Sequence, residues 1–207
     1  QEYPELLSGV ARDLTAQGET NDALILALAR AANRLTYFDG GVVLLDNLGR
    51  VVAVLPDDPA ALGRDWSARP VFRQIIQNPN RPAFSDITVE PPAESADGEE
   101  ALTIAVAVPV LTARNELRGV LVGRFLVGPD VLNSFYGTLL RLRLDSKGQA
   151  HIVDSAGRLI YVSDTGIAGD SFADHPVSAV ALAGASGALR TTSAGGLGAE
   201  NASRTRS

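Results

Sequence analysis

Val43-Leu44-Leu45-Asp46-Asn47-Leu48-Gly49-Arg50-Val51-Val52 is written a second time, 108 residues further on, as His151-Ile152-Val153-Asp154-Ser155-Ala156-Gly157-Arg158-Leu159-Ile160. Each copy is an apolar run, a D-x-x-G-R turn and a second apolar run. That is the pattern of a β-hairpin whose glycine takes the positive φ of a tight turn. The correspondence continues downstream. Gly63-Arg64-Asp65-Trp66-Ser67-Ala68-Arg69-Pro70-Val71 lines up with Gly169-Asp170-Ser171-Phe172-Ala173-Asp174-His175-Pro176-Val177, now 106 residues apart. A two-residue deletion in the intervening loop reconciles the two offsets. One D-x-x-G-R hairpin arises easily by chance. Two blocks in the same order, with an aromatic, a basic residue and a proline in step, do not. The chain therefore predicts one supersecondary unit used twice: hairpin, loop, then a helix led by proline.

Outward from the first hairpin, the pattern on its N-terminal side is helical. Leu6, Leu7, Val10 and Leu14 fall at helical spacing until Gly18 interrupts them. Thr20 or Asn21 caps a second stretch, in which Leu24, Leu28, Ala31 and Leu35 recur at i+4 and i+3. Asp39-Gly40-Gly41 ends it. Strands are predicted at Val42 to Asp46 and Arg50 to Leu55, followed by a loop at Pro56 to Pro59. A short helix should run from Pro70 through Ile75-Ile76. Further strands are predicted at Pro82 to Val89, Ala101 to Leu111 and Gly119 to Val127. The acidic segment Glu90 to Glu100 reads as a solvated loop, and Thr112 to Arg118 as a turn. Pro129-Asp130 opens a helix over Val131 to Leu139. The alternation of Leu140, Leu142 and Leu144 with Arg141, Arg143 and Asp145 predicts a strand that turns back at Lys147-Gly148. The fold class is α+β.

Composition excludes several kinds of function. The chain has 207 residues, 45% of them hydrophobic and 20% charged, enough for a real core and far from a disordered composition. A net charge of −6 argues against nucleic acid, whose phosphates need a basic face. With no cysteine there is no disulfide, thiolate nucleophile or thiolate-bound metal. Only His151 and His175 offer imidazoles, and no cofactor is expected. No run of 18 apolar residues spans a bilayer, so any membrane anchor is expected outside this segment.

The order of these elements resembles the double Cache sensor domains of bacterial chemoreceptors, histidine kinases and diguanylate cyclases, over roughly residues 1 to 190. The features that carry the resemblance are the leading helix, the hairpin Val42 to Leu55, the block Gly63 to Phe72 and the strand Leu102 to Val110. Gly119-Val120-Leu121-Val122-Gly123 and the second copy of the hairpin and block complete it. The resemblance implies a long N-terminal signalling helix (1–38) and a membrane-distal, PAS-like ligand-binding module (39–138). A partial membrane-proximal PAS-like module (139–192) and a flexible tail (193–207) follow. Both modules are expected to have antiparallel sheets, with the second incomplete. It further implies an extracytoplasmic location between transmembrane helices, and a homodimer formed through the N-terminal helix of the full receptor.

The resemblance also points to a binding site. Amino-acid-sensing members of that family grip a carboxylate with an Arg-x-Trp-Tyr motif and hold the amine with Tyr-x-Asp. Arg69-Pro70-Val71-Phe72 keeps the arginine but has Val71 and Phe72 in place of the aromatic pair. Phe84-Ser85-Asp86 keeps the aspartate and loses the hydroxyl. A further family aspartate falls at Arg124. The candidate ligand-binding residues are therefore Trp66, Arg69, Phe72, Phe84, Asp86, Thr103 and Arg124. Arginine suits carboxylate or phosphate because its planar fork donates two parallel hydrogen bonds. Arg69 and Arg124 together favour a small anionic ligand such as an organic acid over a free amino acid. Alternatively, Arg124 forms an internal ion pair with Asp86 or Asp65. Trp66 either stacks on a ligand or anchors the loop, as its counterpart Phe172 would.

Two other functional classes remain open on the sequence. One is a structural or dimerisation module that takes no small ligand. The other is a hydrolase built on Ser171, Asp174 and His175, but neighbours on one loop seldom converge as a triad must. The acidic loop at Glu94 to Glu100 lacks EF-hand spacing, so no metal is expected there.

Overall fold

The computed structural model describes residues 2–16, 20–90, 101–127, 151–162 and 171–184. The chain divides into two compact units, residues 1–126 and 127–207.

The first unit is a twisted antiparallel sheet with helices on both faces. Helix α1 (Glu2–Ala16) and helix α2 (Asn21–Ala31) open it, and a 3₁₀ turn at Ala32–Arg34 extends α2. The Thr20 hydroxyl accepts from the Ala23 amide and caps α2, satisfying one of the helix's orphan N–H groups. Strands β1 (Val42–Asp46) and β2 (Val51–Leu55) form the first hairpin. A 3₁₀ turn (Pro59–Ala61) and helix α3 (Pro70–Gln77) follow. The sheet continues with β3 (Ala83–Phe84), β4 (Thr88–Glu90), β5 (Ala101–Leu111) and β6 (Leu117–Val127). Its order is β2-β1-β6-β5-β3, with β4 also paired to β5. The hairpin that comes first in sequence thus lies beside the last strand, a long-range closure.

Strand parity divides the labour between the two faces. Val43, Leu45, Val120, Val122, Ala105 and Ala107 point to the face covered by α3 and the loop before it, where Trp66, Val71, Phe72 and Ile75 complete a core. The opposite face receives α1 through Leu7, Val10, Ala11 and Leu14, all buried. There Tyr3 packs edge-on against Phe38 and Phe125 and the two phenylalanines are tilted, with Phe125 4.9 Å from each of the other two rings. The Thr15 hydroxyl ties the end of α1 to the Leu111 carbonyl at 2.6 Å. The apolar stripe of α1 is therefore spent on its own sheet.

The leading region is two helices, the second capped by Thr20 as its spacing predicts, followed by a 3₁₀ turn. Two details differ from the sequence expectation. The strand expected at Pro82 to Val89 is broken into β3 and β4. The Ser85 side chain causes the break: its hydroxyl accepts the Ala105 amide at 2.8 Å, and the pairing slips by one residue between Phe84↔Val106 and Thr88↔Thr103. Glu90, read as the start of a solvated loop, is the last residue of β4 and pairs with Ala101.

In the second unit, β7 (His151–Val153) and β8 (Leu159–Val162) form a hairpin and helix α4 (Pro176–Leu182) follows. The repeat is visible bond for bond. Asp46 accepts the amides of Leu48 and Arg50 at 2.9 and 2.8 Å. Asp154 accepts those of Ala156 and Arg158, both at 2.9 Å. Gly49 and Gly157 both have positive φ, 85° and 77°. Their carbonyls accept the Trp66 and Phe172 amides, each at 2.8 Å. Arg50 forms an isolated β-bridge with Asp65, as Arg158 does with Ser171. The expected helix at 131–139, the strand at 140–145 and the tail at 193–207 lie outside the described residues.

Candidate functional site

The site is built on the α3-side face of the first sheet, at the end where β1 and β5 begin. Arg69 is the residue before Pro70, so its backbone is extended (φ −67°, ψ 135°) and it caps α3 from outside. That geometry lays its guanidinium over the Trp66 ring, 3.7 Å from the centroid, a cation–π contact. The Arg69 amide donates to the Trp66 carbonyl at 2.9 Å and holds the pair in register.

Arg124 arrives from β6. It has the same parity as Val120 and Val122, so its side chain leaves the sheet on the same face as Trp66. Its amide donates to the Gly41 carbonyl at 2.9 Å, extending the β1–β6 ladder by one pair. Gly41 is in the left-handed region (φ 86°), and a Cβ there would stand 2.6 Å from the Leu55 carbonyl oxygen and 3.3 Å from the Arg124 Nη2. Glycine at this point keeps the way clear for the guanidinium, which lies 5.8 Å from the Trp66 centroid.

Between the two arginines stands Glu90. Arg69 grips its carboxylate at two points, Nη1 to Oε1 at 2.7 Å and Nη2 to Oε2 at 3.2 Å. The Thr103 hydroxyl donates to Oε1 at 3.3 Å, and Arg124 Nη1 lies 3.8 Å from Oε2. The Glu90 side chain is only 2% exposed, against 25% for Arg69 and 13% for Arg124. A carboxylate so buried would be costly without these partners. Among the described residues the cluster holds two guanidinium groups and one carboxylate. The Trp66 indole N–H is buried with no hydrogen-bond partner among the described residues.

The seven residues singled out from the sequence separate in space. Trp66, Arg69, Thr103 and Arg124 meet around Glu90. Phe72 is 4% exposed and belongs to the core beneath them. Phe84 pairs with Val106, so it faces the other side of the sheet and is exposed. Asp86 is exposed in the break between β3 and β4. Asp65 is also exposed and accepts the Ser67 amide at 2.8 Å. Hydrogen bonds from the Ser67 side chain and backbone hold its carboxyl below the usual aspartate value. Sequence reasoning missed Glu90, because one acid at the head of an acidic run carries no signal of burial. In the second unit His175 lies flat on Phe172, with centroids 4.4 Å apart and 14° between planes, the counterpart of Arg69 on Trp66.

No family model and no curated protein matches the chain. Solved structures do. An extracellular ligand-binding receptor from Desulfohalobium retbaense is similar with a TM-score of 0.66 and 16% identity, over 92% of this chain and 32% of that one. The periplasmic sensory domain of the Campylobacter jejuni chemoreceptor Tlp1 gives 0.57 and 13%, over 91% and 77%. The ligand-binding domain of the Pseudomonas aeruginosa amino acid chemoreceptor PctC, solved with GABA, gives 0.56 and 22%, over 82% and 70%. The chain thus spans about a third of the first of these structures. Its fold is that of the sensory domains of bacterial receptors. The α+β architecture and the Cache-type resemblance expected from the sequence agree with these neighbours.

Proposed function

We propose that the chain is the extracytoplasmic, non-enzymatic ligand-sensing part of a transmembrane signalling receptor, and that its first unit takes a small anionic metabolite. The observation that carries this reading is the convergence of Arg69 and Arg124 on one face of the sheet, against Trp66. Two guanidinium groups held on one face suit an anion, and their forks recognise carboxylate oxygens in pairs. The shared fold supports a binding role over catalysis, and the Thr103 hydroxyl is engaged with Glu90. No helix among the described residues is long and apolar enough to cross a membrane. A homodimer would use a face of α1 other than the Leu7–Val10–Leu14 stripe.

Thermal unfolding against organic acids, amino acids and amines at matched ionic strength tests the reading. One class of carboxylates should raise Tm, and Arg69→Ala should abolish the rise. A rise produced by amines alone, or one that survives Arg69→Ala, would overturn it. Glu90 favours one competing reading, a closed ion-pair cluster in a structural module that binds no small molecule. Silence across the whole screen would select that reading.

A further inference from the structure

The carboxylate that Arg69 holds is the chain's own. Its two contacts, 2.7 and 3.2 Å, are the fork geometry by which a guanidinium holds any carboxylate. Yet Glu90 reaches this buried seat from the last residue of β4, a strand of three residues whose pairs with β5 among the described residues are Thr88↔Thr103, Val89↔Leu102 and Glu90↔Ala101. The anion is deeply seated at the end of a short strand. By contrast Arg69 is held at the head of α3, and Arg124 lies within an eleven-residue strand. An empty seat would leave two largely buried guanidinium groups without this counter-ion, which is strongly destabilising for a buried pair.

We propose that Glu90 is a built-in occupant of an anion seat formed by Arg69, Arg124, Thr103 and Trp66, and that an external carboxylate enters by exchanging with it. This deepens the sensing reading and rests on it. Exchange conserves the charge of the seat and the number of its hydrogen bonds, while the released Glu90 regains water. A tethered group acts at an effective concentration of about the millimolar range or above. A ligand offering only a carboxylate head therefore loses to Glu90, and selection falls on what the rest of the ligand touches. Exchange also couples occupancy to β4, because the acid that leaves carries the end of that strand with it. Binding then shifts a two-state equilibrium of the strand.

Propionate, which matches the ethyl carboxylate arm of glutamate, is the probe. In the 207-residue chain, Glu90→Ala should lower Tm by roughly 10 °C, the scale expected for breaking a buried pair in a protein of this size. Propionate should restore Tm in Glu90→Ala saturably, whereas propionamide and sodium chloride of equal ionic strength should not. Wild type should be unmoved at the same concentrations, and rescue should vanish when Arg69→Ala is added. Equal responses in wild type and Glu90→Ala, no response in either, or rescue that survives Arg69→Ala would each overturn the proposal. If Glu90→Ala does not fold in plain buffer, its refolding yield in propionate against propionamide separates the same outcomes. A ligand from the screen that binds wild type and Glu90→Gln with equal affinity would sink the exchange but keep the sensing. Propionate rescue without any hit in the screen would keep the seat and sink the sensing.

Discussion

The two hairpin-and-helix units share a backbone and differ in what they do with it. In both, an aspartate caps the turn, a left-handed glycine closes it, and that glycine's carbonyl receives the amide of an aromatic residue. In both, a polar side chain three residues later lies on that aromatic ring. The first unit uses tryptophan and arginine, and the arginine reaches beyond the ring to a buried acid. The second uses phenylalanine and histidine, stacked with their ring centroids 4.4 Å apart. The stacked pair is therefore a property of the unit, and the anion seat is what the first unit adds to it. Their aspartates diverge in the opposite sense. The Asp154 side chain is fully buried and also binds Arg158, at 2.7 Å, whereas Asp46 is half-buried.

Removing the aromatic residue should break the comparison most severely. Trp66 is 5% exposed, so Trp66→Ala should cost about 3–5 kcal/mol, and Phe172→Ala, at a half-buried position, about 1–2 kcal/mol. Urea unfolding followed by far-UV circular dichroism would measure both, and equal losses would contradict the burial difference. The aspartates come next, in reversed order. Asp154→Ala should destabilise by about 2–3 kcal/mol, because it strips two amides and a half-buried Arg158 of their buried acceptor, and Asp46→Ala by about 1 kcal/mol. The same denaturation series would show whether the order holds.

The turn glycines should behave alike. A Cβ at Gly49 would meet the Ser67 backbone at 2.8 Å, and one at Gly157 the Ala173 backbone at 2.7 Å. Each Gly→Ala should therefore cost about 2 kcal/mol, roughly half of it from the left-handed φ. A clear inequality would mean the units are less equivalent than their hydrogen bonds imply.

The smallest effect belongs to Asp65, whose counterpart Ser171 has no carboxylate. Asp65 ionises below the usual aspartate value because Ser67 donates to it. A depressed carboxyl stabilises the fold above its unfolded pKa, and that contribution is lost as pH falls through the folded value. The Tm gap between wild type and Asp65→Asn should accordingly be small near neutrality and close as the pH is lowered through the acid range. A gap that widened on acidification would reverse the assignment.

Much of this is legible in the chain alone. Period-two runs mark β5 and most of β1, β2 and β6, the prolines mark the starts of α3 and α4, and D-x-x-G-R marks both turns. What escapes is non-local. Phe84 and Asp86 look like site residues from motif order, but the Ser85 side chain breaks the strand there and pairing with Val106 turns Phe84 to the far face. Glu90 looks like loop because its neighbours in sequence are acidic, and only its pairing with Ala101 turns it inward.

The sequence by itself determined the repeated unit, because hairpin turns, proline-led helices and capping aspartates depend on residues within a few positions of one another. It also determined that Arg69 would stand three residues after an aromatic, and hence that the two would be close. Only the tertiary structure decided that Arg124, Thr103 and Glu90 would join them. They come from three strands whose register and parity are set by packing across the whole sheet. The charge at the centre of the site is therefore a consequence of pairing, and composition alone carries no trace of it.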